Sequence, residues 1–286
     1  MQKIKNLAYL FLFVLLLSSC GEYHKVLNKG TTEEQYKMAV KMYETKKFAK
    51  ALRLFEKITP AYRGKPQMER ISFMIAQSNF NEKSYSLSGY YFDRFSKSYP
   101  KSSKKEEAAF LSAYSYKLAA PVFSKDPTDT NKALEAFQTF INTYPNSDKI
   151  EEANKHYQEL RYKLQKKYFE IAKTYYRTAD YDLRNYKAAI QAFDNLLSDY
   201  LGSEFKEEAL FYRLKAAHDF VIKSTTRRKP ERADDAVEAY DKLKRNFPDS
   251  KYMEEANKML ATMKAQKKEA EDIIAKQIEY QNSLKK

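Results

Sequence analysis

Residues 144–153 read YPNSDKIEEA, and the chain returns to that string three more times: YPKSSKKEEA at 99–108, YLGSEFKEEA at 200–209 and FPDSKYMEEA at 247–256. Each copy reads as the end of one helix and the start of the next. The aromatic closes a helix, and Pro, which lacks an N–H and clashes with the turn before it, stops the continuation. Ser102, Ser147, Ser203 and Ser250 then stand close to the next start, available to its free N–H groups. The glutamate pairs four residues on (Glu106-Glu107, Glu151-Glu152, Glu207-Glu208, Glu254-Glu255) put negative charge on the first turn, where the helix dipole favours it. Paired carboxylates can also serve acid–base catalysis, but a fourfold recurrence at a helix start belongs to capping.

A second pattern precedes these strings. Phe55, Phe92, Phe137, Phe193 and Tyr240 each follow a small residue by four: Ala51, Ser88, Ala133, Ala189 and Ala236. Each is followed after three by Ile58, Phe95, Phe140, Leu196 or Leu243, and five further on stand Arg63, Pro100, Pro145, Leu201 and Pro248. Upstream lie partner helices with their own small-residue register: Tyr36-Ala39-Tyr43, Phe73-Ala76-Phe80, Phe110-Ala113, Phe169-Ala172-Tyr176 and Phe211-Leu214-Ala217. Over residues 33–256 this resembles the tetratricopeptide repeat. In that repeat a small residue lets two helices approach, an aromatic fills the gap, and each pair buries its face on the next. The resemblance implies an all-α fold, a right-handed superhelical solenoid of five tetratricopeptide-like helix pairs with a C-terminal helix.

Composition agrees. Five Gly and eight Pro in 286 residues cannot supply the turns of a β-sandwich or barrel, and Val occurs only six times. Aromatic residues at 15% exclude a long disordered chain, and a single Cys excludes a disulfide scaffold.

That Cys stands at the end of a targeting segment. Lys3 and Lys5 make a positive n-region, Leu7 to Leu17 form an apolar run too short to span a bilayer, and Leu17-Ser18-Ser19-Cys20 follows. The tetrad looks like a bacterial lipobox, which implies cleavage before Cys20 and diacylglycerol plus an N-acyl group on it. No other cofactor is expected. Export removes chromosomal DNA, ATP and NAD as partners, so no nucleic acid is expected. It lowers the net charge from +14 to +12 by removing Lys3 and Lys5, and the remaining basic excess suits anionic membranes or acidic protein segments. Gly21-Glu22-Tyr23-His24-Lys25 lacks an acidic run of the surface-export type, so the body is expected on the periplasmic side of the outer membrane. The expected layout is a signal peptide over 1–19, a lipid-anchored linker over 20–32, repeats over 33–253 and an amphipathic helix over 254–286.

Departures from the repeat period predict three further features. Leu118 to Asn131 reads as an inserted loop and Lys223 to Arg232 as a basic loop. Residues 151–179 read as one long helix with Tyr157, Leu160, Leu164, Tyr168, Ile171 and Tyr175 along one face.

A lipid anchor, a short linker, five repeats and a terminal helix, in that order, resemble the BamD family of outer-membrane assembly lipoproteins. Local strings add to it: Asp93-Arg94-Phe95, Asp126-Pro127 and KLQKKYFEIAKTYY at 163–176. The resemblance implies a non-enzymatic scaffold with two protein partners, the POTRA domains of a BamA-like insertase and unfolded β-barrel precursors. It associates the N-terminal repeats with precursor segments and the C-terminal repeats with the insertase. Residues outside the core pattern are the candidate contacts: Gln35, Gln77 and Asn81 at the N-terminal end, Arg227, Arg228 and Arg232 in the basic loop, and Ile273, Ile274 and Ile278 on the tail. The alternative is another lipid-anchored repeat adaptor, a cell-envelope scaffold or a component of a glycan-uptake receptor. Glycan receptors of this type use Trp-bearing insertions, and this chain has no Trp. Catalysis finds no support, since His24, His156 and His218 are scattered and neither a nucleophile elbow nor a phosphate loop occurs.

Overall fold

The computed structural model describes residues 21–284; the signal segment, Cys20 and the last two lysines lie outside the described residues. All regular structure among them is helical. After α1 (21–29) come α2 (Thr32–Glu44), α3 (Phe48–Tyr62), α4 (Gln67–Asn81), α5 (Tyr85–Ser98), α6 (Lys105–Ala119) and α7 (Thr128–Thr143). They are followed by α8 (Ile150–Thr178), α9 (Arg184–Asp199), α10 (Lys206–Ile222), α11 (Lys229–Asn246) and α12 (Met253–Ser283). The chain forms two compact units. Among the described residues, one holds 21–121 and 125–160, the other 122–124 and 161–284.

The repeating strings behave mechanically as their residue types require. Tyr99, Tyr144, Tyr200 and Phe247 are themselves the caps that end α5, α7, α9 and α11, each N–H bonding the carbonyl four residues back. Leu201 replaces Pro in one copy, yet α9 ends the same way, with Tyr200 in the same cap geometry (φ −125°, ψ 68°), and Gly202 at φ +80° carries the turn that follows. The four serines accept the N–H two residues ahead, at 3.1 Å for Ser102, Ser147 and Ser250 and 3.2 Å for Ser203. They therefore order the turn just upstream of each helix, and the glutamate pairs follow on its first turn. In the first repeat, where the string is absent, Gly64 at φ +80° follows the end of α3.

Packing follows the small-aromatic-large register in both units. In the first, Ala51, Phe55, Ile58, Ser88, Phe92, Phe95, Ala133, Phe137 and Phe140 are all buried; in the second, Ala189, Phe193, Leu196, Ala236, Tyr240 and Leu243 are. Ser88 uses its small size and its hydroxyl, bonding the Ala76 carbonyl at 3.0 Å where α4 and α5 cross. Next to it Gly89 lies against the Tyr116 ring, and a Cβ there would come within 2.8 Å of the ring. That contact fixes α5 close to α6. The fold is thus all-α, built of tetratricopeptide-type helix pairs.

Five expectations are corrected. The segment expected as linker is helical over 21–29, with Tyr23 buried and its hydroxyl donating to the Lys50 carbonyl at 3.1 Å. The insertion in the third repeat is shorter than Leu118–Asn131: α6 runs to Ala119, and α7 begins at Thr128, whose N–H bonds Asp126 at 2.9 Å. The basic stretch is mostly helical, because Thr226–Arg228 form a 3-10 turn and Pro230, pre-set for a first helical turn, lies at the start of α11. Gln35 is buried rather than exposed: its Nε2 donates to the carbonyls of Val26 and Leu27 at 3.3 and 3.1 Å, tying α1 to α2. Finally, α8 buries Leu160, Leu164, Phe169 and Ala172, and Tyr168, Ile171 and Tyr175 are exposed. The stripe's steps of three, four, four, three and four average the 3.6 residues of a helical turn and hold one face, so it is the burial that changes side along α8, from Leu160 and Leu164 to Phe169 and Ala172. The helix-pair register of Phe169 and Ala172 decides which side meets α9.

Candidate functional site

Each unit carries surface hollows of its own. In the first, α2 and α4 together with Lys104 at the start of α6 line a hollow of about 450 Å³. Tyr43 and Phe73 supply its apolar wall, and Arg70 and Lys104 stand beside Glu44 and Glu69. The Tyr43 hydroxyl donates to Gln77 Oε1 across the hollow. Burial, helped by the charge of Glu107 and opposed by Arg70, holds the Tyr43 phenol above its usual range, so it stays a neutral donor. Lys104 Nζ lies 5.4 Å from the Phe73 ring centre and 2.7 Å from Glu107. Arg70 reaches Glu44 only at 3.8 Å. The hollow thus presents ring faces, one amide, two cations and two carboxylates.

Of the three residues expected at this end, only Gln77 lines the hollow. Gln35 is engaged beneath α1, and Asn81 is exposed with its amide bonding the Gln77 carbonyl of its own helix at 2.7 Å.

In the second unit α9, α10 and α11 enclose a hollow of about 510 Å³ with Lys187, Arg213, Arg228 and Arg232 in its walls and Glu231, Asp235 and Glu238 among them. The three arginines expected to act as one exposed loop differ in kind. Arg227 and Arg228 are exposed, and Arg228 pairs with Glu231 at 3.1 Å. Arg232 belongs to the first turns of α11; its guanidinium lies 3.7 Å from the Phe220 ring centre and donates to Ser224 Oγ at 2.5 Å. Burial, then the charge of Arg228, lowers the Arg232 pKa from its usual value. Arg213 is not among the sequence candidates, although the pattern signals it: with Leu210, Leu214 and Ala217 it sits on the buried stripe of α10. An Arg on an apolar stripe needs a partner, and Asp194 supplies two bonds at 2.7 and 3.1 Å.

On the terminal helix, Ala256, Met259, Met263 and Ala270 are buried, the first three of them in one core cluster with α10 and α11. Beyond them Ile273 and Ile278 are exposed and Ile274 is half-buried. The described residues contain no cluster of three His, Cys, Asp or Glu side chains able to hold a metal, and no helix long and apolar enough to cross a membrane.

Paired helices in this register define a tetratricopeptide-repeat protein, and the model of that repeat matches residues 226–250 directly. The YfiO family model, described as outer membrane lipoprotein, matches residues 28–226, so the chain belongs to this family of outer membrane lipoproteins. No curated protein matches the chain. Among solved structures, a chain from a computational design of self-assembling cyclic protein homooligomers aligns over 96% of this chain and 99% of its own, at 15% identity and a TM-score of 0.22. A likeness at that score bears on neither fold nor function.

Proposed function

We propose that the protein is a non-catalytic adaptor of β-barrel assembly, anchored through acylated Cys20 on the periplasmic side of the outer membrane. Its N-terminal repeats receive extended segments of unfolded barrel precursors, and its C-terminal repeats dock the POTRA domains of a BamA-like insertase. The observation that carries this reading is the outer-membrane lipoprotein family match over residues 28–226. The Tyr43–Gln77–Phe73 hollow suits the first task, since rings and an amide bind an extended chain with little demand on its sequence. Exposed Arg227 and Arg228, with Ile273, Ile274 and Ile278 on the projecting part of α12, suit the second.

Mild crosslinking, membrane solubilisation and affinity purification of the tagged protein are expected to recover the insertase and barrel precursors. Recovery of division proteins or a glycan transporter in their place would overturn the reading. Reversing Arg227 and Arg228 to Glu is expected to lower insertase recovery and leave the melting temperature within a degree or two, because exposed charges contribute little to folding (about 0–1 kcal/mol). Arg232 is left out of that pair because its Phe220 and Ser224 contacts are structural. Protease added to intact cells is expected to spare the body; its cleavage would place it on the outer surface.

A further inference from the structure

The 510 Å³ hollow of the second unit continues into a second lobe of about 400 Å³, and the two share Lys187, Phe220, Arg228 and Arg232. The larger lobe mixes both signs of charge. The smaller has no acidic residue in its lining: Arg184, Lys187, Lys223, Arg228 and Arg232 surround Phe220 and the half-exposed Leu183. Three of these cations are already matched, Arg184 by Asp182 at 2.7 Å, Lys223 by Asp180 at 3.4 Å and Arg228 by Glu231. Among the described residues, Lys187 and Arg232 make no ion pair with an acid. Arg232 is nevertheless held in one orientation by Phe220 beneath it and Ser224 beside it. A fixed guanidinium fork on a ring face is pre-organised for a planar carboxylate. The wall of the larger lobe adds a second sign: Arg213 is only 9% exposed, two of its nitrogens engage Asp194, and its buried Nη1 has no acceptor. A buried donor left unmatched costs free energy that an entering oxygen returns.

We propose that this two-lobed groove binds an acidic–apolar peptide segment of a partner protein. A side-chain carboxylate lies between Arg232 and Lys187, and the neighbouring apolar side chain rests on Phe220 and Leu183. This deepens the adaptor reading and rests on it, since it states what chemistry the C-terminal repeats select. The cationic lobe adjoins a lobe lined by Glu231, Asp235 and Glu238, so a single chain can place its carboxylate among the cations alone, whereas a broad anionic surface would also meet those acids. A flat anionic bilayer would be met by cations spread over an outward face.

The test uses the full mature chain and two fluorescein-labelled octapeptides, capped at both ends, with Asp-Phe or Asn-Phe at the centre and otherwise identical. Fluorescence anisotropy is expected to show the Asp peptide binding about tenfold tighter, the worth of one charge-assisted pair, with the preference shrinking as salt rises. Lys187→Gln, at an exposed position, is expected to remove most of that preference. Arg232→Lys keeps the charge and loses the fork, so the preference should fall several-fold, with circular dichroism confirming an intact fold. Equal binding of the two peptides, an undiminished preference in Lys187→Gln, or binding only to vesicles rich in phosphatidylglycerol would each overturn the proposal. Wild-type insertase recovery without peptide discrimination sinks this inference and leaves the adaptor reading standing. Peptide discrimination without insertase recovery does the reverse.

Discussion

Phe193→Ala is expected to lower the stability of the second unit by about 3–5 kcal/mol, the usual cost of emptying a fully buried aromatic site. Phe193 is inaccessible to solvent, with ring centres of Phe169 and Tyr212 at 6.0 and 6.3 Å, and it shares a core with Tyr186, Ala189 and Leu196. Those neighbours are spread over three helices, so none can close the cavity without moving its own helix. The converse change at the same crossing, Ala189→Leu, overpacks a site with no accessible surface and is expected to cost about 1–3 kcal/mol. Exposed Gln191→Ala, two residues from Phe193 on the same helix, is the control and should stay within about 0.5 kcal/mol. Urea titrations followed by circular dichroism check all three. Midpoints for the two core variants that match wild type would show that the helix-pair register is misplaced.

Cys20→Ala is expected to abolish incorporation of radiolabelled palmitate and leave the signal peptide attached. The effect should be all-or-none, because Cys20 is the only thiol in the chain and, on the proposed reading, is acylated before cleavage. Stable anchoring takes more than one acyl chain, so the membrane attachment proposed here depends on this residue. Label on the Ala variant, or a normal mature mass, would end the lipobox reading.

The grooves were less legible than the core. Gln77 is a polar residue outside the core pattern, and it lines the N-terminal hollow. Gln35 meets the same description and is buried, because the segment before Thr31 folds back as a helix and takes its amide. Nothing in the local pattern around Gln35 announces that partner, which lies eight and nine residues upstream. The arginine cluster was visible as a run of like charge, but its division into exposed Arg227 and Arg228 and a ring-stacked Arg232 depends on Phe220, a residue of the neighbouring helix. Arg184 and Lys187, which complete the cationic lobe, come from α9, about forty positions away.

What the sequence by itself determined is periodic and local: helix ends at Tyr99, Tyr144, Tyr200 and Phe247, turn serines, first-turn glutamates, and the small-aromatic-large triplets that became the core. Each depends on residues within one or two turns of one another, and every copy repeats the evidence. Tertiary structure alone decided which face of α8 is buried, where the 120–127 connection ends, and which polar side chains face a groove. Those outcomes compare competing partners on different helices: Phe169 and Ala172 prevail over Tyr168 and Ile171 because α9 packs against the helix-pair register. A one-dimensional pattern states that a helix has two candidate faces, and only the packed neighbour chooses between them.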